Sequence, residues 1–276
     1  MVAVTAGSEG GYCVLTHFLL FLAAILAGAI NALAGGGGLI TFPLLTFVMP
    51  AVAADATSSV ALVLAYPTAV WRTRHEIAMI PRRLIWWLLV PSVLGGLVGA
   101  LLLVYTNEHN FTFLVPWLIL IGTVLFVLEP TLSHRSSGSS SSRIVSSRLL
   151  PLALVVTLAV AVYGGYFGAG IGILMISALS LFGVGDVNRV VPLKNLLTGC
   201  LRAVAVAVLI IEGVVNWSYG VPMVIGGLIG GYIGGLVSNR APRRFLRALV
   251  IFIGFGVAAY YFLNVYGAAI PRIGGE

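Results

Sequence analysis

The sequence predicts an all-α integral membrane protein, an inverted repeat of two halves, each a glycine-broken helical hairpin plus three transmembrane helices. Three observations lead there. Of 276 residues, 60% are hydrophobic and 8% charged, against roughly 25% charged in soluble domains. So few charges cannot cover the surface of a soluble globule this size, whereas a bilayer supplies the apolar solvent and asks for runs of about 20 apolar residues. Apolar runs of that kind follow one another along the chain. Finally, Val90-Pro91-Ser92-Val93-Leu94-Gly95-Gly96-Leu97-Val98-Gly99 returns as Val221-Pro222-Met223-Val224-Ile225-Gly226-Gly227-Leu228-Ile229-Gly230, differing only at Ser92/Met223, Leu94/Ile225 and Val98/Ile229. Apolar bias alone does not repeat a motif in order over that length.

In chain order the apolar runs are 13–34, 39–53, 56–71, 84–104, 112–128, 149–165, 171–183, 187–211, 218–237 and 246–264. Met1 to Tyr12 carries Glu9 and no basic residue, unlike a secretory signal, so the first run is expected to be retained. The runs 39–53 and 171–183 are short, and each follows glycines: Gly35 to Gly38, and the stretch Gly164 to Gly172 that includes Gly168 and Gly170. Thr131 to Ser147 is serine-rich and reads as a flexible connector. It divides a first membrane repeat, 1–130, from a second, 148–276.

Charge orients the halves oppositely. The loop after the third run holds Arg72, Arg74, Arg82 and Arg83, but its counterpart Glu212 to Trp217 holds no Arg or Lys. Tyr105 to Thr112 is likewise free of both, and its counterpart holds Arg240, Arg243, Arg244 and Arg247. With Arg135, Arg143, Arg148 and Arg189, twelve basic residues fall on one face and Arg272 on the other. By the positive-inside rule that face, connector included, is cytoplasmic and both termini are external. The same rule accounts for the net charge of +7 without a nucleic-acid partner.

Helical four-residue spacing puts Gly95 with Gly99, and Gly226 with Gly230 and Gly234, on faces suited to close helix packing. Consecutive glycines instead break a helix, and broken backbone at membrane depth survives only where protein or water satisfies it. Gly36, Gly37, Gly38, Gly168 and Gly170 are therefore candidates to line a midplane site.

The run 187–211 contains Lys194, Asn195 and Arg202. An i, i+8 spacing sets the cations about 80° apart around a helix, able to face one cavity. A charge at mid-membrane costs about 2.5–3.5 kcal/mol on insertion scales and so turns inward. No acid lies in the central part of any run by these boundaries, which predicts that the missing counter-charge is a bound anion. Aligning the halves sets Ser58 and Ser59 opposite Lys194 and Asn195, and Tyr66 opposite Arg202, with Thr57 a further hydroxyl donor. Such hydroxyls also serve plain packing.

Other chemistry finds little support. Gly183-Val184-Gly185-Asp186 is a G-x-G-D string, but an aspartyl dyad needs two close aspartates, and Asp55 and Asp186 read as helix N-caps on opposite faces. His17, His75, His109 and His134 lack metal spacing, and Cys13 and Cys200 read as small packing residues. No catalytic residue, metal or cofactor is expected, and no nucleotide-binding G-x-x-x-x-G-K occurs. Self-association into a homo-oligomer is left open.

Asn31-Ala32-Leu33-Ala34-Gly35-Gly36-Gly37-Gly38-Leu39-Ile40-Thr41-Phe42-Pro43, then Asp55-Ala56-Thr57-Ser58-Ser59 and Trp71-Arg72, resemble the sulfite exporter TauE/SafE family of bacterial, archaeal and plant permeases. The second copy is degenerate, with Ser177 in the place of Pro43 and Lys194 in that of Ser58. The resemblance implies transport of sulfite, sulfoacetate or another organosulfonate, sometimes thiosulfate. The expectation is a secondary transporter in the cell membrane, most simply an exporter. A passive anion channel and a carboxylate permease remain as alternatives.

Overall fold

A computed structural model describes residues 6–33, 36–137, 150–181, 187–237 and 243–265. All regular structure among them is helical: α1 Ala6–Leu33, α2 Gly38–Thr46, α3 Ala51–Val63, α4 Ala65–Arg72, α5 Arg74–Ala78, α6 Arg82–Tyr105, α7 Glu108–Ser137, α8 Leu150–Tyr166, α9 Ile171–Leu181, α10 Val187–Ile211, α11 Trp217–Val237 and α12 Arg243–Val265. Val14–Ala32, Ala51–Arg72, Arg82–Tyr105 and Val190–Ile211 are each long and apolar enough to cross a membrane. Polarity is distributed inside out. Trp86, Val90, Leu94, Val98 and Leu102 of α6 are exposed, while Asp55, Ser59, Lys194 and Arg202 are buried. That is the arrangement lipid demands.

Two boundaries differ from the sequence reading, and one changes the chemistry. The first short arm, expected over 39–53, closes at Thr46, and the next helix begins at Ala51 behind Pro50, not at Ala56. Proline suits a helix start because its missing N–H would have no partner there. Asp55 therefore lies inside α3 and is not its N-cap. The capping role falls to Glu108 of α7, whose carboxylate accepts from the backbone N–H of Ala51 and, at 3.2 Å, of Val52. A carboxylate at that end also complements the helix dipole. Asp186 lies outside the described residues.

The third run is the second difference. Expected to be continuous, it divides at Leu64 into α3 and α4. Pro67 has no N–H to donate to the Val63 carbonyl, which removes the bond that would join the two. α7 carries helix on through Ser137, and residues 138–149 of the connector region lie outside the described residues.

Glycine sets the tightest packing. α1 runs alongside α11, and α6 alongside α8. A Cβ on Gly230 would stand 1.9 Å from the Ile25 carbonyl oxygen, and one on Gly99 2.2 Å from that of Val162. Further along, Gly28 abuts the Gly227 carbonyl and Gly165 the Gly96 carbonyl. Along α1, Phe21, Ile25 and Ala29 meet Gly226, Gly230 and Gly234 in turn, so the two helices run in the same direction. The four-residue glycine faces do the packing expected of them.

The broken arms meet in the middle. Phe42 of α2 stands edge-on to Phe167, between α8 and α9, with ring centroids 5.1 Å apart, and Phe111 of α7 completes the cluster at 6.4 Å from Phe42. All three rings are fully buried. Beside them Gly38 lies against Ala169, where an added Cβ would stand 3.2 Å from the Ala169 Cα.

Candidate functional site

Arg202 is the centre of the buried polar cluster. α10 carries it to the point where α8 ends, and its Nη1 donates to the Gly164 carbonyl at 3.0 Å. Nη2 donates to the Ser59 hydroxyl of α3 at 2.9 Å. One guanidinium thus joins three helices from both halves. Gly168 makes room for it. With φ +71° it holds a left-handed conformation that side chains resist, and a Cβ there would sit 1.9 Å from Nη1. Gly170 shares that conformation, at φ +77°.

Asp55 lies one turn before Ser59 and is 2% exposed. It feels the charge of Arg202 and the hydroxyl of Ser59, and Tyr163 of α8 feels Asp55 in turn. Its Oδ2 has no hydrogen-bond partner. This corrects the expectation that no acid reaches the depth of the cations. The charged side chains among the buried described residues are Asp55, Lys194 and Arg202.

The other predicted residues distribute as follows. Tyr66 is buried at the start of α4, within reach of Asn31 of α1 and of the Arg202 charge. Ser58 shares a 2.6 Å hydrogen bond with Thr41 of α2. Thr57 turns away and accepts from the backbone N–H of Asn216, in the turn between α10 and α11. Gly36 and Gly37 are buried in the turn that opens α2, where the Gly37 carbonyl accepts from the N–H groups of Ile40 and Thr41. Lys194 is fully buried and Asn195 nearly so. They precede Arg202 by two helical turns, about 12 Å along the axis.

Ser59, Tyr66, Gly168 and Arg202 are thus brought together, Ser58 sits at the α2–α3 contact, and Thr57 does not belong to the cluster. Sequence reasoning missed Asp55, Asn31, Thr41, Tyr163 and Thr198. Pro50 was the available signal for Asp55, since a helix beginning there places residue 55 in its second turn. Thr198 lies four residues from both cations and so shares their face.

Several buried polar atoms beyond Asp55 Oδ2 have no hydrogen-bond partner in the structure: Ser177 Oγ, Asn195 Oδ1 and Thr198 Oγ1. Buried polar atoms ordinarily find partners, so such a group points to water or a ligand. Two large grooves open among the described residues. One of about 540 Å³ between α6 and α8 is walled by Trp86, Trp87, Pro91 and Leu158. Another of about 450 Å³ runs beside Tyr66, Pro67 and Cys200. Neither is lined by Lys194 or Arg202, and the second reaches Tyr66 of the cluster.

An apolar exterior around buried polar and charged side chains is the arrangement of a solute carrier. The family model for "Sulfite exporter TauE/SafE" matches residues 20–261. The chain belongs to this family. A Haemophilus influenzae "Probable membrane transporter protein" is 27% identical over 87% of this chain and 92% of its own length. The Escherichia coli "Probable membrane transporter protein YfcA" is 24% identical over 91% of each. A Sinorhizobium protein, "Probable membrane transporter protein ORF9", is 25% identical over 87% of this chain and 89% of its own. No solved structure matches. The chain is a multi-pass membrane protein of a transporter family, which is in keeping with the expectation that it is not an enzyme.

Proposed function

We propose that this protein is a secondary transporter of a small sulfur-containing anion, sulfite or an organosulfonate such as sulfoacetate, held between two inverted halves and exported across the cell membrane. The observation that carries the reading is the buried guanidinium of Arg202, set beside the glycine turn at Gly168 where helices of both halves meet. A buried charge in an apolar bundle is costly, and a bound anion offsets the cost. Sulfonate oxygens suit a guanidinium, which can offer two parallel donors to one anion. Asn195, Thr198 and Ser177 supply further polar atoms without partners, and the glycine turns allow close backbone approach.

Reciprocal packing supports the inverted repeat. Gly95 and Gly99 meet α8 as Gly226 and Gly230 meet α1, and the arginine-rich loops alternate between the halves. In this reading both termini are external and the connector is cytoplasmic.

Flux of radiolabelled sulfite and sulfoacetate into proteoliposomes of the purified protein tests the proposal. Saturable uptake that trans-substrate accelerates is the expected result. Flux linear in concentration, with no counterflow, would assign a channel instead, and uptake restricted to carboxylates would assign the other substrate class.

A further inference from the structure

We propose that Asp55 is the proton-coupling residue of this transporter, taking up one proton with each anion bound. The inference rests on the anion-transport reading above and adds the coupling ion to it.

Asp55 is buried at the contact of the two halves, one turn from Ser59, and Ser59 accepts from Arg202. Its carboxylate shares the Arg202 field without taking the two guanidinium bonds, which go to Gly164 and Ser59. An anion arriving at Arg202 cancels the positive field that Arg202 exerts at Asp55. Binding of the anion then favours a proton on Asp55, and by linkage the proton favours the anion to the same degree.

The same geometry selects a proton over a sodium ion. Sodium needs several oxygens converging on one point. Here Thr41 and Ser58 are bonded to each other, and the Ser59 hydroxyl donates to the Asp55 carbonyl while accepting from Arg202. One acceptor atom without a partner, Oδ2, is what a single proton requires.

The ionisable groups packed around α3 are few. α10 brings Arg202 and Lys194, α8 brings Tyr163, α4 brings Tyr66, and α7 brings Glu108, which is held at the start of α3. α1 and α11 bring His17 and Tyr219, stacked on each other at 4.6 Å, and α2 brings none. Asp55 and Glu108 are the two carboxylates in this set, and Glu108 already serves two backbone N–H groups.

The test is proton uptake on adding sulfoacetate, fully ionised at pH 7, to the purified protein in weakly buffered detergent with a pH dye, beside calorimetry for anion binding. The wild type should take up protons on binding the anion and bind more tightly as pH falls, and Asp55→Asn should bind with no uptake and little pH dependence. In proteoliposomes Asp55→Asn should keep anion exchange and lose accumulation driven by a pH gradient. The wild-type titration stands even if the variant misfolds. Binding without proton uptake, uptake undiminished in Asp55→Asn, or accumulation driven by sodium in place of protons would each overturn the inference. Failure of the wild type to bind either sulfoacetate or sulfite would instead sink the anion reading, and this inference with it.

Discussion

α3–α4 and α10 follow the short arm in their respective halves, and they are built differently. The first is broken at Leu64 and carries Asp55, Thr57, Ser58 and Ser59. The second is one helix of 25 residues and carries both buried cations. Around them, Gly95, Gly96 and Gly99 of α6 and Gly226, Gly227 and Gly230 of α11 each meet a neighbouring helix backbone, while Gly231 and Gly234 stand where α6 has Ala100 and Leu103. The buried acid and these hydroxyls lie on α3, and the two buried cations on α10. Arg202 joins the two through Ser59.

The largest effect is expected where the halves are alike. Gly99→Leu and Gly230→Leu each drive a side chain into a helix backbone, at 2.2 and 1.9 Å from a carbonyl oxygen even for the Cβ alone. Both should abolish folded protein on fluorescence-detected size-exclusion chromatography. A well-folded Gly99→Leu beside a lost Gly230→Leu would break the equivalence.

The next contrast separates strain from function. Gly168 and Gly213 share a positive φ, but only Gly168 faces Arg202, while Gly213 has open space around it. Gly168→Ala should eliminate transport. Gly213→Ala should cost about 1–2 kcal/mol of stability and leave transport near wild type. Equal flux from the two variants would remove Gly168 from the site.

Arg202→Lys loses the fork that holds Gly164 and Ser59 together, and Lys194→Ala removes a point charge. Each should weaken sulfonate binding by about 1.5–3 kcal/mol, which is roughly ten- to a hundred-fold in Kd by calorimetry. Unchanged affinity in both variants would move the site away from α10. The smallest effect belongs to Thr57→Val, which removes the acceptor of the Asn216 N–H. A loss of about 1 kcal/mol in stability is expected, with anion affinity unaltered. A shifted Kd would restore Thr57 to the site and blur the division between the halves.

Much of this was legible in the residues. Glycine clusters announced both broken arms, although the consecutive pair Gly164 and Gly165 stays helical at the end of α8 and the break falls at Gly168 and Gly170, which take a positive φ. The cations in α10 stood out because a charge is rare in an apolar run. Asp55 escaped because a membrane helix is apolar on every side. With no polar face to phase it, its start is read from punctuation alone, and the proline at position 50 was passed over in favour of the aspartate five residues later. Thr57 and Ser59 are two residues apart and so point to different sides of α3, a distinction that depends on knowing what packs against each. The break at Leu64 was written in Pro67, yet proline also occurs inside unbroken helices here, as Pro91 and Pro222 show.

The pairing of α1 with α11 has a consequence for how the protein is made. A ribosome releases α1 into the membrane long before α11 exists. Until then the Gly28 side of α1 lacks the helix it packs against in the finished protein. α6 waits in the same way for α8, though for a shorter stretch of synthesis. The two halves are therefore interleaved during biogenesis and are not folded in succession. A chain stalled at the connector would leave two helices with their close-packing surfaces open, a form that membrane quality control can tell from the finished protein.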